Sequence, residues 1–190
     1  MKPQVAQVAR TAQVAQVAQV AQVAQVAQVA GVEVPQEDVD AIVALVARVE
    51  YAQQNALPEV FLSPFRPDAF WTTAHGKRLT GADEIGAFTR QVLPATADHE
   101  ITASYAAEHI LFIRPDIAAV KVRQRPVTRD GEALDEVFRG HADPSALVAE
   151  RPDAVPGTPL YVLAKDDGEW RIAAAQNTKV IDPETLAAPA

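Results

Sequence analysis

Residues 69–85 read Ala69-Phe70-Trp71-Thr72-Thr73-Ala74-His75-Gly76-Lys77-Arg78-Leu79-Thr80-Gly81-Ala82-Asp83-Glu84-Ile85, and three kinds of structure follow one another within them. Residues 69–75 combine aromatic and β-branched side chains, which predicts a strand. Gly76-Lys77 turns the chain, and Arg78-Leu79-Thr80 returns as a second, short strand. Gly81-Ala82-Asp83-Glu84 then opens a helix, with Ile85, Phe88, Val92 and Leu93 on one face until Pro94 stops it. Upstream, residues 35–56 predict a helix. Pro35 suits its first turn, Glu37 and Asp38 sit at the positive end of its dipole, and Val39, Ile42, Val43, Val46 and Val49 form an apolar stripe. A short helix over 58–65 carries Val60, Phe61 and Phe65. Downstream, strands are expected over 101–113, 117–125, 160–165 and 170–180, the last two forming a hairpin across Asp166-Asp167-Gly168. Two helices, a hairpin, a third helix and four strands keep helices apart from a sheet. The fold class is α+β, not doubly wound.

The chain has 190 residues, enough for one domain with a single core. Lys+Arg 17 against Asp+Glu 25 give a net charge of −8, and the only charges before residue 31 are Lys2 and Arg10, both positive. The remainder is more acidic still, which speaks against a nucleic-acid partner, since binding there needs cations to displace counterions. With no cysteine there are no disulfides, thiolate zinc sites, Fe–S clusters or cysteine nucleophiles. No Gly-rich dinucleotide fingerprint, phosphate loop, Gly-x-Ser-x-Gly elbow or His-Glu-x-x-His motif occurs, so no cofactor is expected. His141 and Asp143 lie two apart without a third ligand, so no metal is expected either.

Residues 4–30 form nine triplets, eight of them Gln-Val-Ala. Gln at every third position leaves no apolar run long enough for a signal peptide or a membrane span, so a cytoplasmic chain without a membrane partner is expected. A period of three also fits no buried face. On a helix each triplet turns about 300°, so the valines circle the axis; on a strand they alternate sides. The expected organisation is a weakly structured repeat tail over 1–34, a domain over 35–182, and a C-terminal tail over 183–190. A long loop insertion at about 129–157 is expected to be exposed and open to proteolysis.

Further stretches carry a family resemblance. They are Leu111-Phe112-Ile113-Arg114-Pro115-Asp116, then Val122-Arg123-Gln124-Arg125-Pro126-Val127-Thr128, Pro159-Leu160-Tyr161-Val162-Leu163, and Trp170-Arg171-Ile172-Ala173-Ala174-Ala175-Gln176-Asn177-Thr178. Together with residues 70–81 they resemble the nuclear transport factor 2-like superfamily and, within it, the SnoaL-like SgcJ/EcaC family, over residues 36–182. The repeat tail and the length of segment 135–156 depart from that pattern. The resemblance implies a cone-shaped fold of three N-terminal helices on a curved, mostly antiparallel mixed sheet enclosing a cavity. It also implies a homodimer and an apolar small-molecule ligand such as a polyketide, with isomerase- or cyclase-like acid/base chemistry. The alternative it leaves open is a non-catalytic binding or accessory module, because one scaffold hosts all of these. Where isomerase-like relatives place a carboxylate base, this sequence has Thr73, which cannot act as one near neutral pH.

The candidate acid/base residues are therefore His75, at the strand end, and His109, read as sharing a face with Tyr105 and Leu111. Against them stand a solvated turn histidine and a hydrogen-bonded structural one. Candidate ligand-binding residues are Trp71, Thr73, Tyr161, Gln176 and Asn177. Runs of alanine at 106–107, 118–119 and 173–175 on the strands predict unfilled space. The expected pocket opens near Trp71, Thr73 and His109, has helix 35–56 on its far side, and uses Gln176 or Asn177 as polar anchor. The alternative is that these alanines let helices or a partner subunit pack closely.

Overall fold

In the computed structural model, which describes residues 27–134 and 155–180, helix α1 (Gln36–Gln54) begins directly after Pro35 and ends at Asn55, whose Nδ2 donates to the Tyr51 carbonyl at 2.8 Å. It buries Val39, Ile42, Leu45, Val46 and Val49. Val43, expected in the stripe, is exposed instead, because Leu45 fills the flank that meets the core. Helix α2 (Pro58–Leu62) is a single short turn-and-a-half ahead of strand β2 (Phe65–Thr72) and strand β3 (Arg78–Thr80). Helix α3 (Gly81–Val92) is tied at its start by Glu84, which accepts the Thr80 N–H at 2.8 Å. A 3-10 turn at Pro94–Thr96 leads into strands β4 (Ile101–Arg114), β5 (Ile117–Thr128), β6 (Leu160–Asp166) and β7 (Glu169–Gln176). Among the described residues no helix is long and apolar enough to cross a membrane.

One element has no counterpart in the expected order. Gln28–Gly31, the last repeat unit and the glycine after it, form strand β1, paired parallel with β4 from Gln28 opposite His109 to Gly31 opposite Phe112. This strand lies within the stretch expected as tail. Strand addition at a sheet edge is driven by backbone hydrogen bonds, which side-chain periodicity does not report. The seven strands lie in the order β1-β4-β5-β6-β7-β2-β3. β1 and β2 run parallel to their neighbours β4 and β7; the remaining pairs are antiparallel. An α+β domain is what the element order predicted, and a mostly antiparallel mixed sheet is what the resemblance implied.

The rest of the tail (1–26), most of the insertion (135–154, with His141 and Asp143) and residues 181–190 lie outside the described residues. The insertion's described ends are held to the sheet by bridges from Val127 to Ala133 and from Gln124 to Gly157.

Two bulges decide which side chains face the helices. Partners directly across a ladder share a face, and an extra residue reverses the parity beyond it. In β4 the extra residue is Glu108, since Ala107 pairs with Val122 but His109 pairs with Lys121. In β7 it is Ala173, between Ile172 opposite Leu163 and Ala174 opposite Val162. The inner face therefore carries Tyr105, Ala107, Ile110 and Phe112 from β4 and Trp170, Ile172 and Ala175 from β7, packed with Ile42, Val46 and Val49 of α1. The outer face carries a row that crosses five strands in register: Phe70, Ala174, Val162, Ala119, Leu111.

Two polar devices fasten the helices. Asp38, 5% exposed, accepts Lys165 Nζ at 2.6 Å and Trp170 Nε1 at 2.9 Å, tying the start of α1 to the β6–β7 hairpin. At the far end of α1 the Arg129 guanidinium donates to the carbonyls of Gln54 (2.9 Å), Thr96 (3.0 Å), His99 (2.8 Å) and Ala97. It thereby joins the end of α1 and the 3-10 turn to the end of β5.

Candidate functional site

Trp71 faces inward because it alternates with the outward Phe70 and Thr72 on β2, and it lies opposite Ala175 on β7 and Leu79 on β3. The small Ala175 leaves room for the indole. Three phenylalanines close around it: Phe61 at 5.7 Å, Phe65 at 6.3 Å and Phe88 edge-on at 5.7 Å between ring centroids. Beside this cluster is a cavity of about 30 Å³ lined by Gln53, Phe61, Phe65, Trp71, Tyr105, Tyr161, Ala175 and Asn177. That is room for about two water molecules. The alanine runs thus leave little space. Ala107, Ala118 and Ala175 are buried in the core cluster, and Phe112, Ile110, Ile172 and Leu163 fill most of what the small side chains vacate.

The polar groups of this cavity have a defined sense. The Trp71 Nε1–H, a donor only, meets Asn177 Oδ1 at 3.3 Å. The carbonyl of Asn177 is thereby engaged and its amide N–H groups remain to be satisfied. Tyr161 is 5% exposed, and no hydrogen bond joins its hydroxyl or that of Tyr105 to another described residue. Burial pushes the Tyr105 hydroxyl far above the ordinary tyrosine range, and the Glu50 charge adds to this. Burial does the same to Tyr161, with Tyr105 adding to it. Both phenols stay protonated and available as donors.

Glu50 of α1 stands behind Tyr105, accepting its backbone N–H at 3.1 Å and Gln54 Nε2 at 3.4 Å. Burial raises its carboxyl above the ordinary value, partly offset by the Tyr105 N–H. A carboxylate raised on folding opposes folding when charged, and the penalty is relieved as pH falls through its folded pKa. Glu50→Gln is therefore expected to stabilise the protein at pH 7, by less than about 1 kcal/mol for a partly exposed group. The gain should vanish near pH 4, as urea unfolding at the two pH values will report.

Of the residues singled out from sequence, Trp71, Tyr161 and Asn177 meet at this cavity. Four others lie outside its lining. Thr73 is buried in the β2–β3 turn, where its Oγ1 accepts the Lys77 N–H at 3.2 Å. His75 is exposed in the same turn, and Gln176 is exposed on the outer face, opposite Thr72 and Leu160. His109 does not share a face with Tyr105, because the Glu108 bulge turns it outward opposite Lys121. The expected pocket mouth at Thr73 and His109 is corrected on these grounds. Sequence reasoning missed Tyr105, Gln53 and Glu50. Ala103, Tyr105 and Ala107 at alternate positions carried the inward signal for Tyr105, but the following bulge erased it. Among the described residues no cluster of three metal-ligating side chains occurs.

The SnoaL-like domain family matches residues 35–176. The chain belongs to this family. No curated protein sequence matches it. Among solved structures, this SnoaL-like domain is similar to a domain of unknown function with a cystatin-like fold from Nostoc punctiforme PCC 73102, at 24% identity and TM-score 0.61, covering 80% of this chain and 82% of that one. A ketosteroid isomerase-like protein from Erwinia carotovora atroseptica is 14% identical at TM-score 0.55, covering 77% and 98%. The hexachlorocyclohexane dehydrochlorinase LinA-type3 from Novosphingobium barchaimii LL02 is 12% identical at TM-score 0.55, covering 76% and 87%. These likenesses, all below 25% identity, speak for the fold alone.

Proposed function

We propose that this SnoaL-like domain binds a small, neutral, largely apolar metabolite, of the polyketide kind, beside Trp71. The observation that carries this reading is Tyr161, a largely buried tyrosine that lines the cavity with no hydrogen-bond partner for its hydroxyl among the described residues, next to an asparagine whose carbonyl is already engaged. Two phenols and an amide N–H group call for an acceptor, such as a ketone oxygen, while Phe61, Phe65 and Trp71 supply an apolar wall. The negative Glu50 behind Tyr105 disfavours an anionic ligand. Since the cavity holds about two waters, a metabolite enters by displacing Phe61 and Phe65. These belong to the shortest helix and to the first residue of β2.

The test is a titration of isotope-labelled protein with a neutral polycyclic ketone and with its carboxylate counterpart. The chain has two tryptophans, so two indole N–H signals are read. The Trp71 signal should shift saturably with the ketone and the Trp170 signal should not. Tyr161→Phe should weaken the response about tenfold. Silence of Trp71 toward neutral ligands contradicts the reading.

A second reading is an isomerase-like enzyme with Glu50 as its base, favoured by its place against Tyr105, whose backbone N–H it accepts, and by the burial that raises its carboxyl. Neither Glu50 nor a histidine belongs to the cavity lining, but Glu50 touches the Tyr105 backbone from behind, whereas His75 is exposed in the β2–β3 turn and His109 faces outward. Glu50→Gln separates the readings, since it abolishes turnover of a bound substrate but leaves binding intact. The branch we favour within the family is SgcJ/EcaC, acting in the cytoplasm without a cofactor.

The same domain is proposed to form a homodimer through the outer sheet face. Phe70, 50% exposed, together with Leu111, Ile113 and Leu160 are large apolar residues left in solvent on this side. Phe70→Asp should halve the mass in sedimentation if this face is the interface.

A further inference from the structure

The sheet has two edges, and they are protected unequally. Its β3 edge is three residues long, carries Arg78 and runs directly into α3. Its β1 edge has no charge and no proline, Val29 is 49% exposed, and β1 has no second neighbour among the described residues. Unpaired backbone groups on an unguarded edge are a template for another strand. The tract that precedes β1 is made of the same unit. Seven further Gln-Val-Ala copies occupy residues 4–9 and 13–27. They are uncharged, carry a β-branched residue every third position, and contain no proline, which is the composition that favours strand addition.

Which copy sits on β4 is fixed by Gly31. It has φ of +95°, and a Cβ there would collide with the Phe112 carbonyl oxygen. The upstream units are each followed by glutamine or arginine, so none can take the β4 register. A tight hairpin that returned the neighbouring repeat units to the outer edge of β1 within one chain would need a turn immediately before it. Residues 4–27 hold no Gly, Pro, Asn, Asp or Ser with which to make a tight turn. Another chain's tract needs no such turn.

We propose that the outer edge of β1 is a strand-addition site for the Gln-Val-Ala tract of a second copy of this chain. Each copy then offers one edge and one tract. Where the tract of each copy lies on the edge of the next rather than being exchanged reciprocally, the contact is heterologous and does not close on itself, unlike a two-fold dimer through the sheet face. Copies accordingly join in open-ended series.

Sedimentation velocity of the full chain over a wide concentration range tests this. Mass should rise past the dimer without a plateau. A soluble peptide of four Gln-Val-Ala units with terminal lysines should cap the edges, return the mass to the closed species, and shift the amide signals of residues 28–31. Val29→Lys, checked for folding by circular dichroism, should raise the concentration needed for association about tenfold or more. In Phe70→Asp the open-ended series should persist even where the face dimer is lost. A plateau at monomer or dimer, or growth indifferent to both peptide and Val29→Lys, overturns the proposal.

Discussion

Replacing Asp38 with alanine is expected to lower the unfolding free energy by about 3 kcal/mol, because it strands a largely buried lysine and an indole donor together. Lys165 and Trp170 both point at this carboxylate and have no alternative acceptor in the described interactions. The midpoint of thermal unfolding should fall by roughly 10 °C for a domain of this size. Burial by itself pushes the Asp38 carboxyl up. The hydrogen bonds from Lys165 and Trp170 and the Lys165 charge outweigh it and hold the group below its ordinary value. A depressed carboxyl stabilises the fold above its unfolded pKa and ceases to do so as pH falls through the folded one. The gap between wild type and Asp38→Asn should therefore be full at pH 6 and should close below about pH 4. Equal gaps at pH 6 and pH 3 would show that the ion pair contributes no linked stability.

The second large effect falls at Trp71. Trp71→Ala removes the centre of a four-ring cluster and should cost about 4 kcal/mol, as large-to-small aromatic substitutions in cores do. Trp71→Phe keeps most of the packing and is the more informative change. It removes the indole N–H that holds the Asn177 carbonyl, and the freed amide can then turn its oxygen toward the cavity. Stability should fall by only about 1 kcal/mol, while affinity for a neutral acceptor ligand drops about tenfold. If Trp71→Phe binds as wild type does, the polarity assigned to Asn177 is wrong.

These two sites differ in how far the sequence announced them. Asp38 was legible only as a residue at the positive end of a helix dipole, because its partners lie more than 100 positions away. Trp71 was legible as a strand residue from the aromatic and β-branched stretch around it, and its inward direction follows from simple alternation. Alternation failed where the backbone departs from it. Tyr105 and His109 have the spacing of one face, but the extra Glu108 separates them. Likewise the three alanines at 173–175 looked equivalent, yet Ala175 lines the cavity and Ala174 joins the outer row. Strand β1 was hidden for another reason: a repeat of period three has no face, so only its backbone could place it on β4. Helices α1 and α3 and the hairpins were legible because their caps, stripes and turns are local features.

Native mass spectrometry of the full chain purified from its own host, compared with Ala175→Leu prepared identically, tests the binding site most directly. The larger side chain would occupy the space between Trp71 and Tyr161. A non-covalent small-molecule adduct on the wild-type protein that disappears in a folded Ala175→Leu protein is the predicted result. A bare wild-type chain, or an adduct that Ala175→Leu retains, would contradict it.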